Sequence, residues 1–96
     1  MVTVRVVVIS DVGLHGRPAS LLVKNALTFQ ARIQLRKTGE PEMLADGKSI
    51  LEVLALGVNK GDEVELICEG ADERQAAAML KQLIDTDFAG LGPAPR

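Results

Sequence analysis

The chain has no tryptophan, no tyrosine and only two phenylalanines among 96 residues. That leaves no aromatic platform on which nucleobases could stack. A net charge of −2 also supplies no basic field for a phosphate backbone, so nucleic acid is not an expected partner. The single cysteine permits no internal disulfide, and Cys68 reads as a small packing hydrophobe in a reducing compartment. One histidine beside one cysteine makes no structural zinc cluster, and neither a metal nor another cofactor is expected. Long apolar runs are missing as well. The first ten residues are too short to span a bilayer, carry Arg5 in their middle and lack a signal-peptide layout behind them, which points to a cytoplasmic protein with no membrane insertion. A chain of this length has room for one core and should bury somewhat over about 60% of the surface its unfolded form exposes.

What is present is regular. Val2, Val4, Val6 and Val8 alternate with Thr3, Arg5, Val7 and Ile9, predicting a strand that ends at Ser10 and Asp11. From Pro18 to Thr28, Ala19, Leu22, Val23 and Ala26, with Phe29 just beyond, recur at helical spacing, with Ser20, Lys24 and Asn25 on the opposite face. Ala31, Ile33 and Leu35 alternate with polar residues, and the Lys37–Pro41 turn leads to a short strand near residues 42–45. Ser49 to Leu56 predicts a helix of about two turns that Gly57 allows to stop. Val64, Leu66 and Cys68 alternate with Glu63, Glu65, Ile67 and Glu69, predicting a strand whose acidic face is wet or covers a helix edge. Asp72 and Gln75 have capping-box spacing ahead of a helix with Ala76, Leu80, Leu83 and Ile84 on its inner stripe. The order is α+β, with an antiparallel sheet covered on one face by helices. The expected domain spans residues 1–88, followed by a flexible tail over 89–96 that holds Gly90, Gly92, Pro93 and Pro95.

The only histidine lies in Gly13-Leu14-His15-Gly16-Arg17-Pro18-Ala19-Ser20. Pro18 suits a first helical turn, which places His15 just outside a helix N-terminus, where unpaired amides and the positive end of the dipole favour an anion. Arg17 adds a guanidinium fork matched to phosphate oxygens, while Gly13 and Gly16 permit positive φ. A neutral imidazole is a competent nucleophile toward phosphorus near neutral pH. Phosphoryl transfer depends mainly on positioning and charge stabilisation. His15 is thus the candidate acceptor, with Arg17, Gly16 and the amides near Ala19 and Ser20 as phosphate-stabilising groups. A surface or capping histidine is the bland alternative.

Here the chain resembles the histidine-containing phosphocarrier (HPr) family of the phosphoenolpyruvate-dependent sugar phosphotransferase system (PTS), whose site pattern G-L-H-x-R-P-A stands as Gly13, Leu14, His15, Arg17, Pro18 and Ala19. Gly47-Lys48-Ser49-Ile50-Leu51, with Leu54, Leu56 and Gly57, resembles the family's regulatory serine and second helix. Gly16 departs from the usual alanine, and Glu52 from a small residue. The resemblance implies an HPr-like open-faced β-sandwich of four antiparallel strands in the order 1-4-2-3 under three helices. It also implies a bacterial, monomeric phosphoprotein that takes phosphate on His15 from the phosphohistidine of Enzyme I and passes it to the A component of a sugar permease. The phosphate is carried covalently on Nδ1, with no independent turnover. A nitrogen-related regulatory branch of the same system is the alternative within the family.

Ser49 and Glu52 also have capping-box spacing, so a structural role stands beside phosphorylation by a dedicated serine kinase and its reversal by a phosphatase, which the resemblance implies for many members. Ile50, Leu51, Leu54 and Ala55 cannot all face inward on so short a helix. Ile50, Leu51 and Leu54, together with Ser20 and Lys24, are the expected docking patch for transient partners. Gly47-Lys48-Ser49 is not a nucleotide-binding loop, because Glu42 stands where that motif needs glycine. Two other classes remain: a small allosteric ligand-binding module, which would function without His15, and an acyl carrier primed at Ser49, which three alternating strands disfavour.

Overall fold

The computed structural model describes residues 1–89. The predicted tail, apart from Ala89, lies outside the described residues. The elements run β1 (Val2–Val7), α1 (Gly16–Ala26), β2 (Arg32–Lys37), β3 (Ala45–Asp46), α2 (Ile50–Ala55), β4 (Glu63–Glu69) and α3 (Glu73–Asp85). Four antiparallel strands form one sheet in the order β1-β4-β2-β3, and the three helices supply its cover, as in the expected fold class.

β4 is central. Val4 lies opposite Leu66 on one side, and Leu35 lies opposite the same residue on the other, so apolar positions from three strands form one row. Leu22, Val53, Leu80 and Leu83 from the helices, all fully buried, belong to the same core cluster as Leu35 and Leu66. The period-two pattern of the strands and the helical stripes therefore meet in one core.

Several local expectations are corrected. β1 ends at Val7, yet Val8 continues the pairing through Val8 N–H to the Asp62 carbonyl at 2.9 Å and its own carbonyl to Gly61 N–H at 2.7 Å. The third strand occupies Ala45–Asp46 instead of residues 42–45, because turn bonds from Glu40 N–H to Lys37 and Met43 N–H to Glu40 keep the chain coiled. Met43 and Leu44 are left exposed. Asn25 is buried, with its amide donating to the Leu21 carbonyl at 2.8 Å, and does not share the wet face of α1.

Two capping expectations also change. Asp72 precedes α3 but makes no side-chain bond to it; its two oxygens instead accept from Gln30 N–H and Ala31 N–H at 2.9 and 2.8 Å, pinning the entry to β2. Glu73, not Gln75, reaches back, accepting from Gly70 N–H at 3.0 Å. On the uncovered face of β4, Glu65 is not wet: its carboxylate sits between Arg36 at 2.6 Å and Arg5 at 3.0 Å. Past α3 the helical pattern fades, yet Phe88 turns back with φ +62°, donates its N–H to the Leu83 carbonyl and is 1% exposed.

Candidate functional site

His15 is the N-cap of α1, with extended backbone at φ −130° and ψ 161°, and its side chain makes no capping bond. Good N-caps are short oxygen-bearing side chains that bind the first free amides. A histidine here leaves those amides unserved. Pro18 has no N–H, so the donors nearest His15 at this end belong to Gly16 and Arg17. Ala19 is buried and Ser20 half-buried in the first turn.

The loop before His15 is fixed by contacts distant in sequence. Leu14 is fully buried and its N–H donates to the Val58 carbonyl at 3.0 Å. Gly13 has φ +66°, and a Cβ there would stand 2.2 Å from that carbonyl oxygen, so both conformation and close approach require glycine. Lys60 donates to Asp11 at 2.9 Å across the same junction, and this hydrogen bond holds the ammonium pKa above its usual value. The imidazole, half-buried, is therefore carried on a firm rim. Gly16 also has positive φ, +58°, but nothing lies within 4 Å of a Cβ built on it.

Arg17 is exposed and takes part in none of the ion pairs among the described residues. Lys24 is likewise exposed and unpaired among them. Their charges are available to an incoming anion or an acidic surface.

α1, which carries Ser20 and Lys24, packs beside α2, the helix that carries Ile50, Leu51 and Leu54. Leu51 is 77% exposed, and Ile50 and Leu54 are also exposed. Val53 is the α2 residue that enters the core. Ser49 is the N-cap of α2, its Oγ accepting from Glu52 N–H at 3.3 Å. The reciprocal half of the expected box is absent, for Glu52 turns its carboxylate to Asp46 N–H at 2.8 Å.

Asp11, Val58, Lys60 and the amide of Arg17 are the supporting groups that sequence reading missed. That amide was foreseeable once His15 was fixed as the N-cap. The Asp11–Lys60 pair, 49 positions apart, gives no local signal. Cys68 is buried and desolvation raises its thiol pKa, which disfavours the reactive thiolate. No helix among the described residues is long and apolar enough to cross a membrane.

Comparison with known proteins agrees with this geometry. The model of the PTS HPr component phosphorylation site family matches residues 2–86. The multiphosphoryl transfer protein of Escherichia coli O157:H7 is 42% identical over 89 residues, which cover 90% of this chain. The chain spans only 22% of that relative's length. HPr-C-His from Thermoanaerobacter tengcongensis superposes with a TM-score of 0.85 at 36% identity, covering 92% of this chain and 96% of the other. For HPr from Bacillus anthracis str. Ames the TM-score is 0.79 at 32% identity, with 86% and 95% covered. With the histidine at the helix mouth, the strand order and the family match all in agreement, the chain belongs to the HPr phosphocarrier family of the phosphotransferase system.

Proposed function

We propose that this protein relays a phosphoryl group through His15, accepting it from phospho-Enzyme I and giving it to the A component of a sugar permease. The observation that carries this reading is the imidazole at the start of α1, which makes no capping bond and stands beside a guanidinium in none of the ion pairs among the described residues. A side chain kept there for capping would bond to the helix. In the forward step the unprotonated Nδ1 of His15 attacks phosphorus, an N–P bond forms, and the donor's N–P bond breaks with its electron pair returning to the donor imidazole. Arg17 and the Gly16 and Arg17 amides stabilise the equatorial oxygens as charge redistributes. The exposed setting of Arg17 keeps the attraction moderate, as reversible carriage requires.

On this reading the protein works as a cytoplasmic monomer, needs no cofactor, and docks partners through Ser20, Lys24, Ile50, Leu51 and Leu54. Ser49 is a second, regulatory acceptor for a serine kinase and phosphatase; its exchange of a capping bond for a phosphate is compatible with a helix N-terminus.

Incubation with Enzyme I, Mg²⁺ and phosphoenolpyruvate, followed by intact mass measurement, tests the central claim. One acid-labile phosphate absent from His15→Ala is expected. Absence of label with the native Enzyme I would overturn the reading. Offering the phosphorylated chain to A components of sugar permeases and of the nitrogen branch then tests the acceptor, with transfer to the former expected.

A further inference from the structure

α2 has a second flank that the proposed relay does not use. Successive helix positions turn by about 100°, so with Val53 pointing into the core, Ile50 and Leu54 project on one side and Glu52 and Ala55 on the other. Against that second flank stands the coiled segment before β3. Glu42, Met43 and Leu44 from this segment and Glu52, Ala55 and Leu56 from the helix line a groove of about 200 Å³.

Its floor is aliphatic. Met43 and Leu44 are each 46% exposed, which is costly for side chains so near a core unless something covers them part of the time. Its lining also carries two acidic residues, Glu42 and Glu52, and neither pairs with a cation among the described residues. Glu52 spends one oxygen on Asp46 N–H. Arg36 donates to the carbonyl of Pro41, the residue before Glu42, but is held on the uncovered sheet face by Glu65. The α1 side of the helix pair carries the opposite sign, from Arg17 and Lys24.

We infer that this groove binds a short basic, aliphatic segment of a partner protein, in which a leucine-like side chain covers Met43 and Leu44 while lysine or arginine meets Glu42 and Glu52. A volume of about 200 Å³ accommodates one or two side chains, so the contact is a brief one. Charge complementarity selects this occupant over the acidic surfaces that suit Arg17. The partner would sit on the protein without covering His15, whether or not the histidine carries phosphate.

The test uses ¹⁵N-labelled full-length protein titrated with a capped helical peptide of leucines and lysines spaced one turn apart, and with a matched peptide in which glutamate replaces lysine. Shifts centred on Met43, Leu44, Glu52 and Ala55 are expected with the lysine peptide only. They should weaken about fivefold in the Glu42→Gln/Glu52→Gln double variant, whose amides keep an oxygen for Asp46 N–H. His15→Ala should bind as the parent does, which separates this inference from the relay. Equal binding of the glutamate peptide, shifts concentrated on α1, or no localised shifts at millimolar peptide would overturn it. So would the same shifts appearing with protein concentration alone, which would assign the groove to a second copy of the chain.

Discussion

Gly13 and Gly16 share the left-handed backbone region but differ in surroundings, and that difference predicts different costs for the same substitution. Gly13→Ala adds a methyl 2.2 Å from the Val58 oxygen, and a loss of about 2–5 kcal/mol is expected in urea unfolding, from strained φ together with overpacking. Gly16→Ala meets open space, so only the backbone term remains, about 1 kcal/mol. Arg17 acts on chemistry. Arg17→Ala should slow phosphoryl transfer by about 10- to 100-fold in rapid-quench measurements while leaving the unfolding midpoint in place, because its side chain is exposed and in no ion pair among the described residues. His15 and Arg17 were legible in the sequence because the site is built from consecutive residues. The use of Asp72 was not, since its carboxylate serves amides more than forty positions earlier.

At the scale of elements, period and length decided what could be read. The stripes of α1 and α3 and the alternation of β1, β2 and β4 were plain in the sequence because each faces one core. β3 was displaced because two paired residues carry too little pattern to outweigh the turn bonds before them. Glu65 could not be placed without register, since Arg5 and Arg36 are brought to it only by pairing of β4 with both neighbours. α2 is short and depends on its cap. Ser49→Ala should cost about 0.5–1 kcal/mol in urea unfolding, with loss of hydrogen-exchange protection confined to Ile50–Ala55.

For the molecule as a whole, three carboxylates link stability to acid. Glu65 is held below its ordinary value first by its hydrogen bond from Arg36, Asp72 by the Gln30 amide, and Glu73 by the Gly70 amide. Lowered folded-state values mean that the unfolded chain binds protons more readily; this stability is complete above the ordinary values of 4.5 and 3.8 and disappears as pH falls through the lowered ones. Urea midpoints should therefore fall steeply below about pH 4, and Glu65→Gln should flatten that dependence. The sheet order has a consequence for biosynthesis. The strand between β1 and β2 is β4, so a ribosome that has delivered the histidine loop and two of its helices has not yet supplied the strand that joins them. The Val58 carbonyl that fixes the loop also arrives late. A nascent chain halted before Glu63 carries the whole motif and the residues of its rim yet lacks the strand that holds them in register, so competence to receive phosphate arises only once β4 has been made, as a single event.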